Sequence, residues 1–422
     1  MAQKTKQWAA IIMMIALFAM IAFVTNLCSP MATIVKNQFG ASETAGQIGN
    51  YANFIAYLLM GIPSGMLITK MGYKKTALAA LIVGIIGLVI EYVSGQIGGG
   101  SAYWIYLLGA FISGMCMCML NAVVNPLLNV LGGGGKTGNQ LIQIGGAFNS
   151  AAAVAVYILM GALIGEVTKD TVIADATPAM FIALGIFLVA FVVLLFTKID
   201  EPKQAPMEMG LISGALKFRH FALGALAIFL YMSVEVGTPT YMISYLQTPE
   251  IGVTAGVAAL IASVYWLMMF IGRTIGGAIG GKVSSRTMVS VVAAIAVILL
   301  LFGMFAPTNI KVSVPGIDWG NLSVIWTPVP IGVFAFILVG LCTSVMWGGI
   351  FNMAVEGLGK YTAAASGIFM TMVFGCAVMV ALQALVADKV SILSSYWIPV
   401  VCAAYILFYA LIGSKPSKTA EE

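Results

Sequence analysis

The chain has 422 residues, of which 61% are hydrophobic and only 8% are charged, and its mean hydropathy is +1.04. Because soluble domains carry about 25% charged residues, this composition excludes a soluble protein and indicates an integral membrane protein. The net charge of +5 comes from basic residues scattered along the chain, which argues against a nucleic-acid-binding surface.

Apolar stretches long enough to cross a bilayer, which takes about 20 residues, follow one another along the whole chain. The first is longer than the core of a cleavable signal, about 7–15 residues, so we expect it to remain as a helix. The sequence predicts twelve spanning helices and no attached soluble domain: Trp8–Val35, Thr44–Thr69, Lys75–Val93, Ala102–Leu131, Gly138–Gly165, Pro178–Thr197, Phe218–Tyr245, Ile251–Gly281, Thr287–Phe305, Val329–Glu356, Tyr361–Ala387 and Ser394–Ile412.

The basic residues indicate how these spans are oriented. With twelve spans and both termini on one side, only four of the 20 Lys and Arg residues fall on the other side, namely Lys36, Lys169, Lys311 and Lys389. Because Lys and Arg concentrate in cytoplasmic loops, the sequence predicts cytoplasmic N and C termini.

A polar segment in the middle divides the chain into two halves. Residues 198–217, which include KIDEPKQAPMEMG, have the composition expected of a cytoplasmic linker. The six-helix halves on either side, 1–197 and 218–422, echo each other: GMLITKMGYK (Gly65–Lys74) is similar to GAIGGKVSSR (Gly277–Arg286), and NPLLNVLG to NMAVEGLG. Duplicated halves are typical of secondary transporters, which bind substrate between them near the bilayer midplane.

The run LNAVVNPLLNVLG in the fourth span carries Asn121, Asn125 and Asn129 at four-residue spacing, hence on one helix face. Pro126 frees a backbone carbonyl that lipid cannot satisfy. A polar stripe in a span must face protein or a water-filled cavity. We interpret it as a substrate-lining face; the alternative is that the amides bond a neighbouring helix.

Longer runs resemble a known family. The GxxxxKxGYK segment is similar to the loop signature of the major facilitator superfamily, with Thr69 where an aspartate is usual. YANFIAYLLMGIPSGMLITKMGYK, FNS (Phe148–Ser150), VYWLMMFIGR and IFNMAVEGLGKYTAAASG resemble the fucose–galactose–glucose:proton symporter family. The resemblance implies an all-α membrane fold of two pseudo-symmetric six-helix halves. It also implies a bacterial inner-membrane sugar transporter that works by rocker-switch alternating access.

The chain departs from that family at its proton sites. The family's proton-coupled permeases have an acidic residue or a glutamine four residues before the Asn-Pro of the fourth helix, where Asn121 stands here. They also have an aspartate in the outer half of the first helix, where this chain has Asn26, Ser29, Pro30 and Thr33. Neither acidic residue can therefore be carried over as a proton site.

In the superfamily, helices one, four, seven and ten line the cavity, and here each of them carries polar residues at helical spacing. Amides and hydroxyls can bond sugar hydroxyls, and aromatic faces can cover sugar C–H groups; an organic anion would need Arg or Lys in mid-membrane. Gln143 in helix five lies near a position at which the family has an amide residue. The alternative interpretation of the tryptophans is that they pack against other helices or lie at the membrane interface. The predicted substrate-binding residues are Asn26, Asn121, Asn125, Gln143, Tyr231, Glu235, Trp266, Trp347 and Asn352.

Glu235 is the one acidic residue in the predicted spans that is not close to a span end. A buried carboxyl tends to be protonated unless a cation stabilises its charge, so it can exchange a proton as its surroundings alternate between wet and dry. We predict that Glu235 couples transport to protons; the alternative is a structural glutamate bonded to backbone or to a tyrosine.

Charged residues near the cytoplasmic span ends are predicted to form the inner gate. Arg273 is expected to brace it, and Glu356 and Lys360, four residues apart, can form an ion pair on one helix. The predicted gating residues are Lys70, Lys74, Arg273, Arg286, Glu356 and Lys360.

Other functional classes find little support in the sequence. The six cysteines all fall within spans and His220 is the one histidine, so we expect no metal site, cofactor or disulfide framework. An enzyme would need a nucleophile–base or metal set, and a receptor or structural subunit would need a module for which the loops leave no room. We expect a monomeric sugar or polyol transporter coupled to protons; a facilitative uniporter, a sodium-coupled carrier and a multidrug exporter are the alternatives.

Overall fold

The computed structural model of the chain is a bundle of membrane helices. It describes residues 7–39, 46, 48–97, 99–133, 135–164, 170–201, 209–280, 282–318 and 323–416. Within these ranges, twelve helices are long and apolar enough to cross a membrane, which confirms the predicted number and shows a multi-pass membrane protein. They are α1 (Trp8–Phe39), α2 (Ile48–Met71), α3 (Tyr73–Ile97), α4 (Gly99–Leu131), α5 (Gly135–Ile164), α6 (Thr177–Phe196), α7 (Arg219–Leu246), α8 (Ala255–Ile279), α9 (Ser285–Phe305), α10 (Gly332–Val355), α11 (Ala364–Lys389) and α12 (Ile392–Gly413).

Side-chain contacts show which helix ends share a face of the bundle. The Glu201 carboxylate, just after α6, accepts hydrogen bonds from the backbone N–H groups of Tyr73 (2.6 Å) and Lys74 (2.9 Å) at the start of α3. In the other half, Arg286 Nε at the start of α9 donates to Ser414 Oγ just after α12 (3.1 Å). We call this side the linker face, because α6 ends and α7 begins there.

The basic residues of the two echoed segments make equivalent contacts. Lys74 Nζ donates to Leu195 O at the end of α6 (3.0 Å), and Arg286 Nη2 lies 3.4 Å from Ser414 O beyond α12. A cation is favourable at a helix C-terminus, where carbonyl groups lack helical partners. The echo in the sequence therefore corresponds to a structural repeat, in which the third helix of each half holds the end of the sixth.

A β-hairpin, which the sequence analysis did not predict, joins α9 to α10. Strand β1 (Lys311–Asp318) pairs with β2 (Ser323–Pro330) in antiparallel register, with Val314 opposite Thr327 and Gly316 opposite Ile325. Both strands are rich in the β-branched residues that favour extended structure. The all-α expectation holds for the spanning part but not for this connection, and α10 begins at Gly332, after the predicted start at Val329.

Four helices of the C-terminal half are interrupted, of which α12 is broken at Tyr396 and has a π-helical turn at Tyr409–Gly413. α7 contains a π-helical turn at Ser233–Gly237, α10 is broken after Thr343, and α11 is broken after Met372. Buried tyrosines bond carbonyl groups at two of these breaks: Tyr265 donates to Val234 O and Tyr231 to Thr343 O, both at 3.2 Å. Irregular backbone is tolerated at membrane depth where protein or a cavity surrounds it, and π turns are frequent at functional sites.

The two halves meet along two helix pairs, α2 with α11 and α5 with α8. In the first pair, Gly61 lies so close to Thr371 that a side chain at position 61 would overlap it. In the second, Gly277 lies against Gln143. Small residues allow membrane helices to approach closely, so the halves are in contact along both pairs.

Candidate functional site

A cavity of about 110 Å³ lies between the two halves, with a mostly apolar wall in which several amide groups and one carboxyl–guanidinium pair are set. Four helices from each half contribute to its wall: α1, α2, α4 and α5 from the first, and α7, α8, α10 and α11 from the second. The lining residues are Phe18, Ile21, Ala22, Thr25, Asn26, Phe54, Tyr57, Asn121, Asn125, Asn149, Met232, Glu235, Val236, Trp266, Arg273, Trp347, Met370 and Val373.

Three buried polar atoms of the lining residues have no hydrogen-bond partner among the described residues. They are Thr25 Oγ1, Asn125 Oδ1 and Trp266 Nε1. The indole N–H can only donate, the amide oxygen can only accept, and the hydroxyl can do both. Each buried unpaired group costs about 1–3 kcal/mol, so a ligand with several hydroxyl groups would stabilise this arrangement.

The asparagine stripe of α4 divides between the cavity and a neighbouring helix. Asn121 Nδ2 donates to Tyr57 OH (3.0 Å), and Asn125 Nδ2 donates to Asn121 O one turn earlier (3.1 Å). Both residues line the cavity, whereas Asn129 lies against Gly138 near the start of α5. The predicted lining role therefore fits two of the three asparagines, and the alternative contact with a neighbouring helix fits the third.

Glu235 lies in the π-helical turn of α7, with Arg273 as its ion-pair partner and the Tyr231 hydroxyl also within reach of its carboxyl group. Arg273 Nη2 is 3.6 Å from Glu235 Oε1, and the two side chains are 10% and 13% exposed. Arg273 Nη1 also donates to three acceptors on α5: Gly146 O (2.6 Å), Ser150 Oγ (2.9 Å) and Asn149 Oδ1 (3.3 Å). Arg273, which is predicted to brace an inner gate, lies in the cavity wall and also bridges the two halves.

The aromatic candidates occupy two layers. Trp266 and Trp347 line the cavity. Tyr231 lies behind Trp347, with their ring centroids 6.1 Å apart, and is fully buried. Phe369 also packs edge-on against Trp347, with the ring centroids 5.4 Å apart. Tyr231 thus supports Trp347 and the break in α10 rather than lining the cavity.

Two further predicted ligands lie outside the cavity wall. Gln143 lies on the linker-face side of the cavity, where its Nε2 would be 3.3 Å from a Cβ placed on Gly348 of α10. Asn352 is exposed on the last turns of α10. Asn26 does line the cavity, and its Nδ2 donates to Ala22 O (2.8 Å).

The cavity also contains polar residues to which the sequence analysis gave no role. Asn149 donates through Nδ2 to Phe18 O of α1 (2.8 Å) and accepts from Arg273 through Oδ1. It belongs to the FNS run that carries the family resemblance, and an amide in the middle of a predicted span was a usable signal. Nothing in the sequence distinguishes Tyr57 or Thr25 from other residues of apolar spans.

A second buried carboxyl group lies away from the cavity. Glu91 of α3 is 5% exposed and accepts a hydrogen bond from Ser113 Oγ of α4 (2.8 Å). The sequence analysis treated it as close to a span end, since the third span was expected to end at Val93, but α3 continues to Ile97. Glu91 does not line the cavity, whereas Glu235 does.

The remaining predicted gating residues lie at the linker face. Lys74 and Arg286 bond the ends of α6 and α12 within their own halves, and Lys70 and Glu356 are exposed. The side chain of Lys360 is outside the described residues. In this conformation, the described contacts of Lys74 and Arg286 do not connect the two halves, so their gating role stays a prediction.

The sequence and the fold were compared with those of known proteins. The sequence profile of the Major Facilitator Superfamily matches residues 13–382. A glucose/galactose transporter of Brucella abortus biovar 1 (strain 9-941) is 28% identical over 411 residues, which cover 94% of this chain and 92% of that protein. The L-fucose-proton symporter of Escherichia coli (strain K12) is 23% identical, over 95% of this chain and 92% of that protein.

A solved transporter structure has a similar fold. A crystal structure of the transporter FucP in the outward conformation matches with a TM-score of 0.74 at 21% identity, over 96% of this chain and 99% of that one. Because the superfamily profile covers most of the sequence, the chain belongs to the Major Facilitator Superfamily, and its relatives confirm the resemblance to the fucose–galactose–glucose:proton symporter family.

Proposed function

We propose that this protein transports a monosaccharide or a related small neutral polyol by rocker-switch alternating access, in symport with protons. The observation that carries the proposal is the set of unpaired polar atoms at the cavity, Thr25 Oγ1, Asn125 Oδ1 and Trp266 Nε1. A sugar hydroxyl can both donate and accept a hydrogen bond. Sugar hydroxyls can therefore pair with the donor and with the acceptors of this set alike.

The amides of the N-terminal half support the same substrate class. Asn26, Asn121 and Asn125 each use Nδ2 for a bond within the protein, which fixes the orientation of the amide. Their oxygens then remain to accept bonds from ligand hydroxyls. Trp266 and Trp347, on the opposite half, can cover the C–H face of a sugar ring.

The relatives narrow the proposal to sugars. One is named a glucose/galactose transporter and another an L-fucose-proton symporter, and each aligns with more than nine-tenths of this chain. Hexoses and deoxyhexoses are therefore the first substrates to test. The amide groups of the wall favour a sugar over the substrates of a multidrug exporter, although most of the wall is apolar.

Glu235 is the proposed proton carrier. Asn121 stands where the family's permeases have an acidic residue or a glutamine, but the carboxyl of Glu235 still reaches the cavity, beside Arg273. A carboxyl in such a place can gain a proton when the cavity opens to one side and lose it when the cavity opens to the other. We further propose that the linker face is cytoplasmic, that the protein resides in the bacterial inner membrane, and that it works as a monomer.

The test uses purified protein in proteoliposomes, which are loaded with unlabelled glucose, galactose or fucose to measure exchange and contain no sugar when accumulation is measured. Labelled sugar should exchange inward, and an inward proton gradient should drive its accumulation, whereas a sodium gradient should not. Accumulation driven by a sodium gradient alone would identify sodium, and not the proton, as the coupling ion. Exchange without any accumulation would identify a uniporter. If none of a panel of sugars and alditols exchanges or stabilises the protein against heating, the proposed substrate class is wrong.

Glu235→Gln separates coupling from binding, because glutamine mimics a permanently protonated carboxyl. The variant should still exchange labelled for unlabelled sugar but should not accumulate sugar in response to a proton gradient. Glu91→Gln is the matched control, since Glu91 is buried but lies away from the cavity, and it should retain accumulation. Undiminished proton-driven accumulation in Glu235→Gln would rule out Glu235 as the coupling residue.

A further inference from the structure

Arg273 connects elements that belong to different halves of the protein. Its Nη2 lies 3.6 Å from Glu235 Oε1 on α7, while its Nη1 bonds Gly146 O, Ser150 Oγ and Asn149 Oδ1 on α5. Since α7 and α8 lie in the C-terminal half and α5 in the N-terminal half, one guanidinium group helps to hold the halves together. The same group is the charge partner of the proposed proton carrier.

The charge balance at this point depends on Glu235. The α5 acceptors are a carbonyl, a hydroxyl and an amide oxygen, which carry only partial charges. The other titratable groups near Glu235 among the described residues are Tyr231 on α7, Tyr265 on α8 and Cys376 on α11, which are neutral in their usual protonated forms. Among the described residues, the guanidinium therefore receives a full negative charge only from an ionised Glu235.

In this structure the side chains of Arg273 and Glu235 are still 10% and 13% exposed, and closing the cavity would remove the remaining water from them. With Glu235 ionised, the closed cavity contains a neutral pair. With Glu235 protonated, closing leaves a buried guanidinium with no counter-charge, which is strongly unfavourable. A bound sugar changes this balance, because its hydroxyl oxygens can accept hydrogen bonds from the guanidinium where the carboxylate no longer does.

We propose that the Glu235–Arg273 pair decides whether the empty carrier can close. The empty carrier closes when Glu235 is ionised, and the carrier that holds both a proton and a sugar also closes. The empty carrier with a protonated Glu235 stays open. The inference rests on the proposed function and adds to it the step that prevents proton leakage. A carrier that has bound a proton without sugar cannot close and reopen on the other side of the membrane, so each proton must be transported together with a sugar. The unloaded carrier returns only after it has released the proton.

The test measures closure directly in the full-length protein without sugar. Spin labels are placed in pairs, one label on each half, in a transport-competent background without native cysteines. The exposed residues Lys75 and Lys282 report on the linker face, and Ile97 and Val390 on the opposite face. Distance distributions for both pairs, recorded over a pH series, give the fraction of molecules that are closed on both faces.

The wild type without sugar should be mostly closed at high pH and open at low pH, and sugar should restore closure at low pH. A change of at least about tenfold in the closed-to-open ratio is expected, which corresponds to about 1.4 kcal/mol. Glu235→Gln without sugar should resemble the low-pH wild type at every pH. Thr274→Ala is the matched control, because its side chain is exposed next to Arg273 in the chain, and it should titrate like the wild type.

Arg273→Met supplies the sharpest test, because it reverses the sign of the effect. Without the guanidinium, an ionised Glu235 becomes the uncompensated charge, so this variant should close at low pH and open at high pH. The double variant Glu235→Gln/Arg273→Met has no charge to bury and should close without sugar at every pH. A merely structural role for the pair would not invert the pH dependence.

Two results would overturn the inference: a closed fraction that ignores pH in the sugar-free wild type, or an Arg273→Met variant that keeps the wild-type sign. If Glu235→Gln does not fold, the wild type and Arg273→Met still decide the question. Failure of the proposed function looks different, since in that case no sugar binds or exchanges, whatever the distances show. If sugars accumulate with protons but closure ignores pH, only this inference fails.

Discussion

Asn125→Ala offers the most direct test of the cavity, because Asn125 Oδ1 is buried at its wall and has no partner among the described residues. If a sugar hydroxyl donates to this oxygen, the variant removes one buried hydrogen bond and leaves the sugar hydroxyl unpaired. Such a loss costs about 1–3 kcal/mol, or a factor of about 5 to 150 in the dissociation constant. The bond from Asn125 Nδ2 to Asn121 O lies within α4, so its loss should lower the free energy of unfolding by no more than about 1 kcal/mol.

The affinity can be measured from the rise in melting temperature with sugar concentration, which follows mass action. Asn352→Ala is the matched control, since it makes the same chemical change at an exposed position outside the cavity wall, and it should leave the affinity unchanged. Asn121→Ala should weaken binding to a similar extent. If the Asn125→Ala and Asn121→Ala proteins bind sugar as tightly as Asn352→Ala does, the stripe faces a neighbouring helix and the reasoning is wrong.

Two further predictions concern stability and closure. Glu201→Ala removes two hydrogen bonds to N–H groups at the start of α3 and should lower the free energy of unfolding by about 0.5–2 kcal/mol. The variant should therefore melt at a lower temperature and bind sugar with unchanged affinity. An unchanged melting temperature would contradict this prediction. Gly61→Ala places a methyl group against Thr371 and should slow exchange in proteoliposomes, whereas Gly185→Ala, where no heavy atom lies within 4 Å of the added methyl position, should not. Equal exchange rates in the two glycine variants would show that the contact between α2 and α11 is not needed for closure.

The spans could be predicted because the bilayer imposes a length and an apolarity that any spanning helix must satisfy. The repeat could be predicted from the two basic segments, and the structure explains it: Lys74 and Arg286 each hold the end of the last helix of their half. The hairpin was missed because the stretch from Lys311 to Pro330 was treated only as a connection between spans.

The details of the site were harder to predict, because a helix pattern gives the relative phase of side chains but not the neighbour of each face. Asn121 and Asn129 share a stripe, yet one lines the cavity and the other meets α5. Asn352 follows a break in α10, and such a break disturbs the regular phase that spacing arguments assume. Arg273 lies only six residues before the end of α8, and this position near a span end suggested a role in the gate. Its long side chain instead pairs with Glu235 and lies in the cavity wall.

The division of residues between the halves bears on how transport and coupling are connected. The four asparagines of the cavity wall, Asn26, Asn121, Asn125 and Asn149, all belong to the N-terminal half, whereas the tryptophans and the ion pair belong to the C-terminal half. A sugar bound by the asparagines of one half and the tryptophans of the other would draw the two halves together. It would reach Arg273 only when the two halves are in contact. Asn149 already contacts Arg273 across the interface. On the proposed function, sugar recognition and proton coupling therefore depend on the same closing movement, although the groups responsible are on different halves.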